Sequence, residues 1–276
     1  METTTTTRAD APLPAGAFRA MGTVVSVRLD LDLDLDLDAA ARRCAAVAGA
    51  EAAFARWEAR CSLFDPDSEL SRIGRGELAL VDADASVRDA YALASHWRAA
   101  TDGAFTPHRG DGRIDLNGVV KALAAVEAGE AIASAGVGRW AIDAGGDVLV
   151  SRAAADEGPL GADRQVGIVD PWDRTALLAR FDLDGWRRRA LATSGSAERG
   201  DHIWTRPGEG LSPFVQVSVA AADLVTADVL ATAIVAGGQA SLDDLAARHD
   251  VDVLAVTRSG GLLATPGWPR ADRAPR

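Results

Sequence analysis

Lysine is nearly missing from this chain: of 29 basic residues, Lys121 is the only lysine and the other 28 are arginines. Cysteine is almost as scarce, with Cys44 and Cys61 alone. Both fall in one helical segment, too far apart along it to pair, so they read as reduced core thiols rather than a disulfide framework. Positive charge is also short, since 29 basic against 40 acidic residues leaves a net charge of −11. Such a surface repels phosphate backbones and anionic lipid, which argues against nucleic-acid or membrane-surface binding. A local site can still oppose that field and hold one anionic ligand. No apolar run looks long enough to span a bilayer. The first residues, Met1-Glu2-Thr3 through Pro14, lack a basic segment followed by an apolar one, and no lipid-attachment cysteine stands there. The default expectation is therefore cytoplasmic residence.

What remains is ordinary globular material, with 276 residues, 48% hydrophobic and 25% charged, enough to bury a substantial core. Residues 1–16 and 271–276 read as tails, with one domain over 17–270. Thr23 to Leu29 alternates at period two and reads as a strand. The Asp-Leu alternation from Asp30 to Asp38 could extend it as a charge-blunted edge. Ala39 to Leu63 reads as a long amphipathic helix, with Cys44, Val47, Phe54, Trp57 and Cys61 on one stripe. Ser68 is placed to cap a short helix, Val87 to Trp97 mark another, and a third spans Gly118 to Ala135. Trp140 to Val150 reads as two strands broken at Gly145-Gly146. Further strands are expected at 165–169, 176–182, 189–193, 215–220, 251–257 and 262–265, with helices at 225–237 and 241–249. Strands and helices mix without regular βαβ alternation, which points to an α+β domain with mixed or antiparallel sheets flanked by helices.

Four segments carry residues suited to chemistry. In Ala227-Asp228-Val229-Leu230-Ala231-Thr232, residues four apart put a carboxylate and a hydroxyl on one helix face. Two hard oxygens near a helix start suit Mg²⁺, and free amides there attract phosphate. Alternatively, Asp228 caps or charges the first turn and Thr232 bonds back to a carbonyl. Asp115-Leu116-Asn117-Gly118 with Lys121 opens the third helix. Asp115 either caps it or accepts from a base or ribose, Gly118 lets a carbonyl approach a ligand or ion, and Lys121 offers a cation to phosphate. Asp143-Ala144-Gly145-Gly146-Asp147 is either a tight hairpin or a place for close backbone approach to a flat ring or pyrophosphate. Thr193-Ser194-Gly195 ends a strand in small hydroxylated residues, then Glu198-Arg199 and His202 follow. This is not a nucleophile elbow, which needs Gly-x-Ser-x-Gly. His202 is either a surface residue or a phosphate ligand, acid or base.

Taken in series, these segments resemble the FAD:protein FMN transferase family, also called the ApbE family. The pieces are Met21-Gly22-Thr23, Asp67-Ser68-Glu69-Leu70-Ser71, Asp102-Gly103-Ala104-Phe105 and Asp115-Leu116-Asn117-Gly118 with Lys121. They continue with Ala144-Gly145-Gly146-Asp147, Thr193-Ser194-Gly195 with Glu198-Arg199, His202-Ile203, and the segment holding Asp228 and Thr232. The resemblance covers roughly residues 18–268 and implies an ApbE-like, T-fold-like domain. It implies an Mg²⁺-dependent enzyme that cleaves FAD, passes FMN to a threonine hydroxyl of an acceptor protein, and releases AMP. It maps the metal to the Gly118 carbonyl and the side chains of Asp228 and Thr232. FAD contacts map to Met21, Ala104, Phe105, Asp115, Lys121, Gly145, Gly146 and Asp147, with Ser194, Gly195 and His202 nearby. Asp228 and His202 are the candidates for activating the acceptor hydroxyl, and Lys121 for neutralising phosphate charge. Two other readings keep the same site: a pyrophosphatase releasing FMN and AMP to water, or a non-catalytic FAD-binding protein. Both draw on departures from the family pattern. Thr106 stands where Gly-x-Phe-Asp-Pro has its carboxylate, Ala122 replaces a glycine, and only nine residues, Thr106 to Ile114, replace a much longer insert.

Overall fold

The computed structural model describes residues 14, 16–31, 38–152, 164–195 and 211–269. Hairpins build most of it. Strands β1 (Ala17–Ala20) and β2 (Thr23–Leu29) are joined by Met21-Gly22, both at positive φ (51° and 72°). Strands β3 (Trp140–Ala144) and β4 (Asp147–Val150) are joined the same way by Gly145-Gly146, at 66° and 93°. A two-residue turn with positive φ at both positions matches the twist of antiparallel strands, so Gly145-Gly146 forms a hairpin turn, a geometry compatible with close approach of a ligand. After β5 (Gln165–Val169) and β6 (Leu177–Asp182) come β7 (Ala190–Gly195), β8 (Phe214–Ala221), β9 (Asp252–Thr257) and β10 (Leu262–Ala264). Eight of these form one sheet in the order β1-β2-β3-β4-β7-β8-β9-β10, every pair antiparallel.

Among the described residues, helices cover one face only. They are α1 (Ala39–Cys61), α2 (Glu69–Gly74), α3 (Ala85–Ala100), α4 (Asn117–Ser134) and α5 (Leu224–Arg248). The main core lies between them and the sheet, with Phe54, Leu116, Ile132, Val217, Leu230 and Ile234 fully buried. Each such side chain stabilises the fold by roughly 1.5–3 kcal/mol over exposure. The opposite sheet face is covered by the separate β5–β6 hairpin, whose Val166, Ile168 and Phe181 pack on Val148, Leu191 and Leu254. Strand β8 is consequently buried along its whole length.

Several expectations need correction. Cys61 is buried, and burial pushes its thiol up to about 12, with the Glu69 charge adding and Arg60 opposing; Cys44 is exposed and is no core thiol. Phe54, Trp57 and Cys61 of the expected stripe are buried, joined by Ala46, Ala50 and Ala53, while Val47 is half-buried. Strand β2 stops at Leu29, and residues 32–37 of the Asp-Leu repeat lie outside the described residues, as do 1–13, 15 and 270–276 of the tails. Helix α5 is long and apolar enough to cross a membrane by composition, with mean hydropathy 1.3, yet 61% of that window is buried within the protein. It is a core helix. Gly238, at φ 64° and ψ −150°, breaks it, so it is two helices in line with the two separate ones expected.

Candidate functional site

Antiparallel register brings distant segments to one end of the sheet. Ala144 pairs with Val25, so the Gly145-Gly146 turn sits beside the start of β2, and the Gly145 amide donates to Val24 O (3.3 Å). Val148 pairs with Leu191, so β7 runs back toward that turn and its last residues, Thr193 to Gly195, arrive there. A Cβ on Gly145 would stand 2.4 Å from Thr23 Oγ1, whereas one on Gly146 would meet nothing within 4 Å. Gly145 is thus needed for packing, while the flank of Gly146 is open to a ligand.

Lys121 lies on the second turn of α4 and its ammonium is 2.5 Å from Asp147 Oδ2, with Asp147 only 1% exposed. The other oxygen, Oδ1, accepts from the Thr193 amide (3.1 Å). One carboxylate therefore ties α4, β4 and β7 together. Asp143, on the far face of β3, accepts from the Gly146 amide (2.9 Å). Burial pushes its carboxyl above the usual range, opposed by that amide and by Arg28; the Asp147 charge raises it further and Lys121 opposes. Ser194 points to the helical side, where its Oγ is 3.0 Å from Thr232 Oγ1. Thr193 points to the other side, where its hydroxyl meets Ser218 Oγ at 2.8 Å.

Asp228 lies one turn before Thr232 on α5 and is 6% exposed amid Ala227, Val229 and Leu230. The cap of that helix is Asp223, whose carboxylate accepts from the Thr226 amide (2.8 Å). Asp228 therefore stands in the second turn, where amides bond within the helix, and the expected phosphate-binding helix start is not at Asp228 and Thr232. Ala221, just before α5, pairs with Ala190, so that helix start lies at the opposite end of the sheet from Ser194. The Thr232 hydroxyl is paired with Ser194 Oγ, not turned back to a carbonyl of its own helix.

Around α4, Phe105 and Ala104 are buried, and a Cβ at Gly118 would fall 2.5 Å from the Phe105 ring. Ala104 in turn stands 3.3 Å from where a Cβ on Gly237 of α5 would lie. Asp115 Oδ1 accepts from the Asn117 amide (2.9 Å) at the mouth of α4, and Met21 donates its amide to Glu58 Oε1 (3.0 Å). The predicted residues are thus brought together pairwise, Phe105 with Gly118, Lys121 with Asp147 and Ser194 with Thr232, on elements α4, β4, β7 and α5. His202, with Glu198 and Arg199, lies outside the described residues. Sequence reasoning missed Ser218 and Glu58; a serine in a strand buried on both faces was the available signal for the first.

A groove of about 920 Å³ opens at the other end of the sheet, lined by Arg187, Arg188, Asp250 and Asp252. Its charges pair among themselves: Arg188 reaches Asp252 Oδ2 (2.7 Å) and Asp250 Oδ1 (2.9 Å). Among the described residues no cluster of three or more His, Cys, Asp or Glu is placed to hold a metal.

Residues 21–112 and 108–256 match the sequence model of the ApbE family. The chain belongs to the ApbE family. No curated protein sequence matches it at a significant level. Among solved structures, it is similar to the ApbE protein of Thermotoga maritima, with a TM-score of 0.73 at 20% identity over 91% of this chain and 96% of that one. It is similar to the flavin transferase ApbE of Vibrio cholerae, with a TM-score of 0.68 at 18% identity over 90% and 95%. The apo flavinyl transferase ApbE of Pseudomonas stutzeri gives 0.69 at 19% identity over 90% and 92%. At these identities the likeness establishes the ApbE fold, the α+β architecture expected. The nine-residue segment before Asp115 that departs from the family pattern is folded here as a small hairpin: His108 bridges Ile114, and the Asp115 amide donates to Pro107 O (2.8 Å). Thr106 Oγ1, where the family pattern has a carboxylate, accepts from the His108 amide (3.2 Å).

Proposed function

We propose that this ApbE-family chain is an FAD:protein FMN transferase that attaches FMN through a phosphoester to a threonine of an acceptor protein and releases AMP. The carrying observation is the Ser194–Thr232 contact, which joins the hydroxyl-bearing end of β7 to the turn of α5 that holds Asp228. The names of the solved relatives, flavin transferases from Vibrio cholerae and Pseudomonas stutzeri, support the same reading.

The donor set fits Mg²⁺, a cation that favours hard oxygens and completes its shell with phosphate and water. A buried carboxylate, Asp228, and the Thr232 hydroxyl one turn on supply two such oxygens, and the Gly118 carbonyl is the third donor in this reading. When bound, the ion would neutralise negative charge on the diphosphate. The chain's own groups do the rest. Met21, Ala104, Phe105 and the Gly145-Gly146 turn form the flavin-side wall. Asp115 accepts from the base or ribose. Lys121, held by Asp147, places a cation beside phosphate, and Ser194 and Gly195 line the approach. In transfer, the acceptor oxygen bonds to the FMN phosphorus as the diphosphate P–O bond breaks and AMP leaves. The hydroxyl proton passes to Asp228 or His202.

The compact, exposed 106–114 hairpin favours one second reading, in which a more open pocket admits water and the products are free FMN and AMP. One experiment tests both. The purified chain is incubated with FAD and Mg²⁺, with and without a threonine-bearing acceptor protein. Adenylate release with an FMN-mass increase on the acceptor supports transfer; free FMN without labelling supports hydrolysis; FAD binding without turnover leaves a binding protein; no FAD binding refutes all three.

A further inference from the structure

We propose that Arg109 is a positioning residue for the dinucleotide, acting through Asp115, a role that rests on the flavin reading above. Both residues belong to the same short hairpin. The Arg109 amide donates to Arg113 O (2.9 Å), the Gly112 amide donates to Arg109 O (3.0 Å), and Asp115 closes the loop on Pro107 O (2.8 Å). The hairpin is fixed to α3 by the Tyr91 hydroxyl, 3.1 Å from His108 Nε2. Its backbone is thus tied at both ends, and Arg109 is not carried on a loose loop.

The guanidinium bridges two carboxylates of the hairpin: its Nε lies 3.7 Å from Asp111 Oδ2, and its Nη1 faces one oxygen of Asp115. Asp115 Oδ1 is taken by the Asn117 amide (2.9 Å), while Arg109 Nη1 lies 3.8 Å from Oδ2. That distance makes an ion pair and is too long for a hydrogen bond, so Oδ2 keeps its capacity to accept from a ligand hydroxyl or amine. The pairing answers an electrostatic problem. A carboxylate that accepts from the nucleoside part of a dinucleotide also repels its diphosphate, in a chain whose net charge is −11. A cation on the same carboxylate offsets that repulsion and orients the acceptor. The hairpin, short where the family pattern has a long insert, supplies that cation from its own sequence.

The experiment measures FAD turnover and FAD binding for the full chain, using Arg109→Ala, Arg109→Lys, Asp115→Asn and the Arg109→Ala/Asp115→Asn pair, with melting temperatures as a folding control. Both partners are partly exposed, so we expect Arg109→Ala to raise KM and Kd for FAD about three- to fivefold with kcat within about twofold. Arg109→Lys should recover most of the loss, and in the Asp115→Asn background the Arg109→Ala step should change nothing further. A purely structural role would lower melting temperature and kcat together and would not be rescued by lysine, which would overturn the assignment. Unchanged KM in a folded Arg109→Ala protein would overturn it too, as would an equal effect in the Asp115→Asn background. Failure of the wild-type chain to bind FAD would instead bring down the flavin reading, and this role with it.

Discussion

The lone lysine of the chain, Lys121, is ion-paired at 2.5 Å with Asp147, a carboxylate that is 1% exposed and also accepts from the Thr193 amide. This pair is part of the fold as much as of the site. Removing the cation alone would strand a buried charge. We expect Lys121→Met to destabilise by roughly 2–4 kcal/mol, below the full cost of a sealed pair because the lysine retains some solvent contact. Lys121→Met with Asp147→Asn should lose less than Lys121→Met alone, and urea unfolding of the two variants checks it. An additive loss would mean that the pair contributes no coupling.

Asp228 carries the metal assignment. Asp228→Ala should lower FMN transfer by about a hundredfold or more while leaving the fold intact, since it removes the charged oxygen that would hold the cation beside the diphosphate. Mass analysis of the acceptor, together with circular dichroism, measures both. Transfer persisting at the wild-type rate would remove Asp228 from the metal site.

Glycine positions near the site should respond differently to one added methyl. Gly118→Ala drives a Cβ within 2.5 Å of the Phe105 ring and should cost about 1–3 kcal/mol despite the better helix propensity of alanine. Gly145→Ala combines φ 66° with a Cβ 2.4 Å from Thr23 Oγ1 and should be worse than Gly146→Ala, which has only its φ of 93° to strain. Thermal melts of the three variants rank them; Gly146→Ala as the most damaging would contradict the turn geometry.

Asp143 gives a pH dependence with a definite sign. Its carboxyl is raised by burial, so the native state holds the proton more tightly than the unfolded chain does. The cost is absent below the ordinary carboxylate range and grows as pH rises through the raised value. Asp143→Asn keeps an oxygen for the Gly146 amide and loses the charge. Its melting temperature relative to wild type should therefore increase between about pH 3 and pH 7; a constant difference would contradict the assignment.

Much of the fold was legible because it rests on local signals. Period-two alternation marked β2, Ser68 accepts from the Ser71 amide (3.0 Å) as its capping position required, and the paired glycines gave the β3–β4 turn. Cys44 was misread because helical spacing alone gives the stripe but not its edge, and α1 buries alanines on the neighbouring line. Helix α5 starts at Leu224, one residue before the expected 225, but Asp228 was read as near its start and stands a turn further in, since Asp223 and Asp228 are both plausible acidic starts to an apolar helix. Only the Thr226 amide, bonded to Asp223, distinguishes them.

The site divides the same way. The order of short motifs along the chain was enough to indicate the family and to nominate Asp228, Thr232, Gly118 and Lys121, because residue chemistry and i,i+4 spacing are properties of the string. Tertiary structure alone decided that Lys121 meets Asp147, that Ser194 meets Thr232, that Arg109 stands beside Asp115, and that the sheet is helical on one side and covered by a hairpin on the other. The physical reason is register: strands pair by backbone hydrogen bonds that carry no side-chain code, so which distant residues come together follows from turns and core packing summed over the whole sheet.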